Sequence, residues 1–229
     1  MFFLCIVLTY SYFCSVKEIV LDRILPRVFV GREDISGDIW HQKVMLERGR
    51  VYLVEAASGT GKSSLCGFLM GYRRDYEGSI FFDGRDVRDL QTDDWVELRR
   101  SHLSLLFQEL RLFPELTAME NVEIKNQLTH HKPKQQIMDW FEVLGLADKM
   151  DARVGQMSFG QQQRVAMIRA LVQPFDFLLA DEPVSHLDDE NAQAMRDIMM
   201  EEVRRQGAGV VITSIGRRMD LCYDQTFCL

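Results

Sequence analysis

Short apolar runs alternate with helical patterns along most of the chain. The apolar runs lie at residues 50–55, 175–180 and 209–213, and their length and composition are typical of buried strands. Residues 161–172 place their apolar side chains on one face of a helix, and residues 190–205 also have a helical pattern. Strands that alternate with helices predict an α/β fold whose mostly parallel sheet is covered on both faces.

Further elements extend this pattern. They are a strand at residues 16–25, a helix at residues 62–72, and a strand at residues 79–82 that ends in the Asp83-Gly84 turn. Residues from about 93 to 160 are rich in helical patterns and predict a helical subdomain inserted into the α/β core. We therefore expect a single domain over residues 16–229.

The first 15 residues differ from the rest of the chain. Residues 1–14 (MFFLCIVLTYSYFC) carry no charged side chain, but they are too few to span a bilayer, which needs about 20 apolar residues. The run also lacks the basic region and the small-residue cleavage site of a signal peptide. A membrane-contacting tail, a degenerate signal and a misassigned start codon are the three interpretations. We favour the last, with translation starting at Val16.

The composition excludes some classes of function. With 27 Lys and Arg against 34 Asp and Glu, the chain has a formal net charge of −7. A protein that coats nucleic acid needs a basic surface, so we expect no nucleic-acid partner. The five cysteines are scattered and form no CxxC pair, which argues against a disulfide framework or a zinc site and fits a reducing compartment.

A phosphate-binding loop follows the strand predicted at residues 50–55. The segment Ser58-Gly59-Thr60-Gly61-Lys62-Ser63-Ser64 lies between this strand and a predicted helix, which is the context of a P-loop. Its glycines let backbone N–H groups turn toward phosphate oxygens, and the helix N-terminus adds positive potential. Lys62 would reach the β- and γ-phosphates, and the Ser63 hydroxyl would bind Mg²⁺. Ala56 stands where this pattern has its first glycine.

Two carboxylates follow the apolar run at residues 175–180. Asp181 and Glu182 come at the C-terminal end of a predicted strand, which is the edge at which open parallel sheets bind ligands. Asp181 would hold Mg²⁺ there, and Glu182 would accept a proton from an attacking water. Together with the P-loop, this pair indicates nucleotide hydrolysis.

Further motifs make the chain, over about residues 17–229, resemble the nucleotide-binding subunit of an ABC transporter. Gln108 resembles the Q-loop glutamine and precedes the family's LFP-x-LTA-x-ENV run. Residues 157–161 (MSFGQ) resemble the LSGGQ signature, and residues 185–188 (SHLD) resemble the D-loop. The resemblance implies a P-loop NTPase of the ABC type, with an antiparallel β subdomain and an inserted helical subdomain. The LTA-x-ENV spacing is most similar to the lipoprotein-release, macrolide-export and cell-division branch.

The resemblance also implies where ATP and Mg²⁺ bind. In the family, ATP lies between two cassettes, so a second copy of this chain would complete the site. The residues that the resemblance adds to the nucleotide site are Ser158, Gly160, Gln161 and Asp188. Ser158 is at a helix N-cap position, where its hydroxyl, the Gly160 N–H and the helix dipole would form an anion site. Gln108 would sense the γ-phosphate, and Ser63, Gln108 and Asp181 would be the metal ligands.

Adenine recognition and the partner also follow from the resemblance. The family stacks an aromatic residue on the base, and Phe29 is the first candidate here, with Trp40 second. Ordinary packing explains either ring equally well. Gln108 lies beside the groove that, in the family, receives a coupling helix of the membrane permease. We therefore expect a cytoplasmic subunit held at the inner face of the cell membrane by a separate permease.

Three positions depart from the family pattern. Phe159 replaces a glycine of the signature, Ala56 replaces a glycine of the P-loop, and Ser214 stands at the position of the switch histidine. A neutral serine cannot make the charged contact to the γ-phosphate that a histidine makes, so we expect slow hydrolysis. The catalytic candidates are Glu182, Gln108 and Ser214. His186, where the family usually has alanine, is interpreted as a dimer-surface side chain and not as a displaced switch.

Two other functions remain as alternatives. The first is a nucleotide-gated interaction module with negligible turnover, which the residues at positions 159 and 214 favour. The second is an ABC-type ATPase of DNA repair or translation. That class usually has two cassettes or a long coiled-coil insertion, and the chain has room for neither, so we favour it least.

Overall fold

The described residues form two β-sheets and six α-helices. The computed structural model describes residues 14–32, 35, 37–57 and 59–229. The strands are β1 (Glu18–Pro26), β2 (Lys43–Glu47), β3 (Val51–Glu55), β4 (Tyr76–Phe82), β5 (Arg85–Asp86), β6 (Leu103–Leu106), β7 (Phe177–Asp181), β8 (Gly209–Ser214) and β9 (Gln225–Cys228). The α-helices are α1 (Lys62–Leu69), α2 (Thr92–Glu97), α3 (Ala118–Asn126), α4 (Lys134–Val143), α5 (Phe159–Leu171) and α6 (Asp189–Gln206). The first 13 residues of the proposed N-terminal extension, and Ser58 of the P-loop, lie outside the described residues.

The five-stranded sheet is parallel and has the strand order β6-β7-β8-β3-β9. Its register pairs Asp181 of β7 with Thr213 of β8, and Glu55 of β3 with Ser214 of β8. The carboxyl ends of these three strands therefore lie at one edge of the sheet. Because the P-loop follows β3 and the acidic pair ends β7, this register brings the two motifs together.

Alternate residues of the parallel strands enter two different hydrophobic cores. In β7, Leu178 and Ala180 belong to one core, whereas Phe177 and Leu179 belong to the other. Side chains of a strand point to opposite faces in turn, so a strand covered on both faces is apolar at every position. The first core includes residues of α3 to α6, and the second includes residues of α1, β1 and β4.

The second sheet is antiparallel and has the strand order β2-β1-β4-β5. β1 is its centre, pairing with β2 from Glu18 opposite Glu47 and with β4 from Ile19 opposite Phe82. Its inward side chains, such as Leu21 and Ile80, are fully buried in the core that also contains α1. The family's antiparallel β subdomain is thus confirmed, although β2 was not predicted as an element.

The boundary predicted for the helical subdomain is wrong at its N-terminal side. β6 lies inside the predicted range 93–160, yet it pairs with β7 and forms an edge of the parallel sheet. All four residues of this strand are buried, so they belong to the core and not to an insertion. The inserted helices are α3 and α4, which follow β6. In the described part of the chain, no helix is long and apolar enough to cross a membrane.

Candidate functional site

The P-loop connects β3 to α1 through two glycines with left-handed backbone. Gly59 has a φ of 82° and Gly61 a φ of 103°, a region that side chains with a Cβ rarely adopt. A Cβ on Gly61 would lie 2.8 Å from Cζ2 of Trp40. The Trp40 indole also donates a hydrogen bond to the Thr60 carbonyl at 3.0 Å. The tight turn of the loop therefore depends on glycine and on the tryptophan packed beneath it.

Ala56 fits the position where the P-loop pattern has glycine. Its φ is not positive, so its Cβ meets no backbone strain there. Its N–H donates to the Ser214 carbonyl at 3.2 Å, which continues the β3–β8 pairing by one residue. This departure from the family pattern therefore leaves the loop geometry intact.

Lys62, Ser63 and Asp181 meet at the edge of the sheet, as the sequence predicts. Lys62 is buried, and its Nζ donates to the Ala57 carbonyl at 3.1 Å. The Ser63 hydroxyl donates to Oδ2 of Asp181 at 2.8 Å, and Oε1 of Gln108 lies 3.5 Å from the same hydroxyl. All three predicted metal ligands are thus within one hydrogen-bonded group.

Thr213 is a member of this group that sequence reasoning missed. Its hydroxyl donates a hydrogen bond to Oδ1 of Asp181 and accepts one from the Glu182 N–H at 3.3 Å. The threonine therefore fixes the carboxylate whose other oxygen contacts Ser63. A signal existed in the sequence, because parallel strands that end in LLAD and VVIT place Asp181 beside Thr213 once they are paired.

Glu182 is held in a strained backbone conformation beside Lys62. Its φ is 51°, although it precedes Pro183, and a left-handed non-glycine residue costs roughly 1–2 kcal/mol. Its Oε1 lies 3.9 Å from Nζ of Lys62 and, among the described residues, accepts no hydrogen bond. Burial raises the pKa of this carboxyl group, and the charge of Lys62 opposes that shift. Strain, burial and a free acceptor atom together are typical of a functional carboxylate.

The signature begins helix α5, as predicted. The Ser158 hydroxyl accepts a hydrogen bond from the Gln161 N–H at 3.3 Å, and the Gln161 side chain accepts one from the Ser158 N–H at 3.0 Å. This reciprocal capping box fixes the helix N-terminus. Gly160 faces the D-loop, because a Cβ there would lie 3.2 Å from Cδ2 of Leu187. Asp188 caps the next helix, α6, and accepts a hydrogen bond from the Asn191 N–H at 2.8 Å.

Three predicted site residues have other contacts in the structure. Phe29 is 5% exposed, and the guanidinium of Arg32 lies 5.3 Å from its ring centroid. The ring also packs edge to face against Trp40, with centroids 6.5 Å apart, and its stacking on adenine stays a prediction. The Ser214 hydroxyl donates to the Arg217 carbonyl at 2.7 Å, and the Ser64 hydroxyl accepts from Arg73 at 2.7 Å. Both hydroxyl groups are engaged away from the carboxylates.

A groove next to Gln108 is lined by aromatic and cationic side chains. It encloses about 140 Å³ beside Ser63 and Asp181. Tyr72 and Phe107 stack at 5.9 Å between centroids, and the Arg111 guanidinium lies 4.2 Å from the Phe107 ring. Further cations adjoin this groove. Burial lowers the pKa of Arg169 to about 10, and burial together with the charge of Arg169 lowers the pKa of Lys125 to about 8.

The residues present suit Mg²⁺ bound together with phosphates. Ser63, Asp181 and Gln108 offer oxygen atoms, the ligands that Mg²⁺ prefers, and only one of them carries charge. Such a donor set leaves coordination positions for phosphate oxygens and water. Oε1 of Glu182, which accepts no hydrogen bond from the described residues, lies in the same group and can accept one from that water.

Comparisons with known proteins agree with this geometry. The family described as ABC transporter matches residues 41–185. The macrolide export ATP-binding/permease protein MacB of Shewanella sp. (strain ANA-3) is 34% identical over 175 residues, which are 74% of this chain and 26% of that protein. The chain therefore spans about a quarter of that relative's length.

A relative of similar length and a solved structure extend the comparison. The ABC transporter ATP-binding protein YtrE of Bacillus subtilis (strain 168) is 32% identical over 185 residues, which are 80% of each protein. The dimeric structure of MJ0796, a bacterial ABC transporter cassette, matches with a TM-score of 0.73 at 26% identity and covers 86% of this chain and 87% of its own.

Proposed function

Because the chain belongs to the ABC transporter family, as an ATP-binding cassette and ATPase, we propose that it hydrolyses ATP to drive a membrane partner. The observation that carries the proposal is the convergence of Lys62, Ser63, Asp181 and Glu182 at the carboxyl edge of the parallel sheet. A phosphate loop, an oxygen-donor set and a raised-pKa carboxylate are the parts that phosphoryl transfer to water needs.

Each residue at this edge has a distinct role in the proposed reaction. Lys62 binds the β- and γ-phosphates in exchange for its hydrogen bond to the Ala57 carbonyl. Ser63, Asp181 and Gln108 would hold Mg²⁺, which neutralises phosphate charge when bound. Glu182 accepts the proton of the attacking water, because its free Oε1 and raised pKa suit a general base. Thr213 keeps the Asp181 carboxylate in place.

The nucleotide site is completed by a second copy of the chain. In the structure, the signature contacts the D-loop of its own chain, through Gly160 and Leu187 and through Phe159 and His186. Ser158 and the exposed start of α5 are therefore available to the γ-phosphate bound by a partner cassette. The dimeric form of the MJ0796 cassette, which shares this fold, supports the proposal.

We propose that the membrane partner is a permease and that the cassette lies on the inner face of the membrane. The groove beside Gln108, which is lined by Tyr72, Phe107 and Arg111, suits an amphipathic segment of such a partner. YtrE, of similar length, is named as an ATP-binding protein, whereas MacB is named as an ATP-binding and permease protein. These names support the pairing of such cassettes with permeases.

A second candidate is a nucleotide-gated module with negligible turnover. The observation that favours it is the hydroxyl of Ser214, which is bound to the Arg217 carbonyl and is not directed at the site. Losing one charged γ-phosphate contact reduces turnover by about 10²–10³, by comparison with other lost transition-state contacts. Both candidates predict ATP-dependent dimers, but only the first predicts hydrolysis.

The Glu182→Gln variant separates the two candidates. We expect measurable turnover by the native chain, a loss of at least about 10²-fold in the variant, and accumulation of an ATP-bound dimer of the variant on a sizing column. Lys62→Ala is the control, since it removes binding as well as turnover and should stay monomeric with ATP. If the native chain and Glu182→Gln both form ATP-dependent dimers and neither hydrolyses ATP, the result would support the second candidate instead.

A further inference from the structure

Two positions that depart from the family pattern are in contact with each other. The rings of Phe159, in the signature, and His186, in the D-loop, have centroids 4.5 Å apart and meet edge to face at 65°. Phe159 is 43% exposed, so its ring lies at the surface beside the Ser158 cap. The family resemblance gives glycine and alanine at these two positions. The two substitutions thus create one aromatic contact that neither creates alone.

A hydrogen-bond chain links His186 to the backbone of Glu182. The Ser185 hydroxyl lies 3.2 Å from the Glu182 carbonyl and 2.8 Å from Nδ1 of His186. The hydroxyl has a single proton, and the carbonyl can only accept it. When the hydroxyl donates that proton to the carbonyl, Nδ1 of His186 is the donor to Ser185, and the imidazole contacts Phe159 on one side and Ser185 on the other.

The loop from Glu182 to Leu187 rests on the first turns of α5 at two further points. The Gln163 side chain donates to the Pro183 carbonyl at 2.7 Å and to the Glu182 carbonyl at 3.2 Å. Gly160 faces Leu187 closely enough that a Cβ would lie 3.2 Å from it. The start of α5 is therefore in direct contact with the loop that carries Glu182.

We propose that the Phe159–His186 contact couples the signature to Glu182, with His186 as a positioning residue for the carboxylate. The inference rests on the proposed function. A nucleotide on the partner cassette would seat against Ser158 and the exposed start of α5, next to Phe159. Movement of that ring shifts His186, and the Ser185 hydrogen bonds carry the shift to the Glu182 backbone. Occupancy of one composite site thereby sets the geometry of the carboxylate at the other site.

A double-mutant cycle tests the coupling, with Phe159→Gly, His186→Ala and the double variant. Each single variant leaves one ring without its partner, which is Phe159 beside the Ser158 cap or His186 in the D-loop. We expect turnover about three- to tenfold below native, with little change in the ATP concentration for half-saturation. The double variant lacks the same contact as each single variant, so its turnover should equal that of the single variants and should not show the product of their losses. Phe159→Tyr keeps the ring and should match the native chain.

A structural role alone would not give this pattern. Val143→Ala, which removes an exposed side chain from the surface of α4, is the control for general destabilisation. Additive losses in the double variant, or native turnover in both single variants, would overturn the proposal. An unchanged Hill coefficient for ATP in both single variants would also count against coupling between the sites.

Two readouts keep this test separate from the proposed function. The imidazole proton resonances of His186 should lose their ring-current shift in Phe159→Gly, and this reports the contact without any turnover. If the native chain dimerises with ATP but does not hydrolyse it, the hydrolysis proposal fails while the coupling is still tested. In that case the ATP concentration for half-maximal dimerisation should rise in each single variant and rise no further in the double variant. No change in either readout would overturn the coupling itself.

Discussion

Glu202 on α6 is the centre of a buried charge cluster that ties the inserted helices to the core. Its side chain is 2% exposed and accepts hydrogen bonds from Lys132, whose side chain is fully buried, and from Arg205 at 2.8 Å. Nε2 of His131 lies 3.7 Å away. We predict that Glu202→Gln destabilises the fold strongly, because the amide leaves the buried Lys132 ammonium without a counter-charge.

The size of this effect follows from the ionisation of Glu202. Burial alone would raise the pKa of Glu202, but hydrogen bonds from Lys132 and Arg205, together with the nearby His131, lower it from 4.5 to about 2. At about 1.4 kcal/mol per pKa unit, that displacement corresponds to about 3 kcal/mol of stability. For a chain of this size, such a loss lowers Tm by roughly 6–12 °C.

The pH dependence of the effect has a definite sign. A carboxyl group whose pKa is lower in the folded state stabilises the fold at pH values above its unfolded pKa of about 4.5, and this stability is lost as the pH falls toward 2. Urea unfolding of the native chain and Glu202→Gln should therefore differ by about 3 kcal/mol at pH 7 and by about half of that at pH 3.

The neighbouring Glu201→Gln, on the exposed side of the helix, is the control and should change stability by less than about 0.5 kcal/mol. A difference below about 1 kcal/mol at pH 7 for Glu202→Gln, or an equal difference at both pH values, would refute this account of the cluster.

Two further predictions concern the nucleotide site. Gly61→Ala places a Cβ 2.8 Å from Trp40 at a φ of 103°, so it should lower the free energy of unfolding by about 2 kcal/mol or more and abolish nucleotide binding. The control Gly84→Ala, with a φ of 79° and open space around the Cβ, should cost only about 1 kcal/mol. Equal losses of the two variants in thermal unfolding would contradict the packing explanation. Thr213→Val removes the hydrogen bond to Asp181, so it should raise the Mg²⁺ concentration for half-maximal turnover and lower turnover about tenfold or more. Thr213→Ser keeps the hydroxyl and should have the native Mg²⁺ requirement and the native turnover. An unchanged Mg²⁺ titration of Thr213→Val would contradict the positioning role of Thr213.

The central strands of the parallel sheet were predictable because both of their faces are packed against apolar side chains. Strands β3, β7 and β8 are covered on both faces, so continuous apolar runs mark them in the sequence. The edge strands were not found. In β9 only Phe227 is buried, and β2 alternates exposed and buried residues, so neither has a continuous apolar run. β6 is short and lies between segments with helical patterns, so it was included in the range predicted for the inserted helices.

The site was predictable where a motif fixes its own geometry. The P-loop, the Ser158 cap and the Asp181-Glu182 pair each depend on local backbone, and the structure has them where the sequence places them. Side chains whose partners are distant in sequence were not predictable. Thr213, for example, acts on Asp181 through strand register, and the two residues are 32 positions apart.

The central claim is that one nucleotide site is built from two copies of the chain. The direct test mixes two inactive variants, Lys62→Ala, which lacks phosphate binding, and Ser158→Arg, which blocks the signature. In a mixed dimer, the P-loop of the Ser158→Arg chain faces the intact signature of the Lys62→Ala chain. We predict that the mixture regains ATP turnover, to about a quarter of the native rate for random pairing of two equivalent chains. A mixture as inactive as its components, with mixed dimers present, would contradict the shared site.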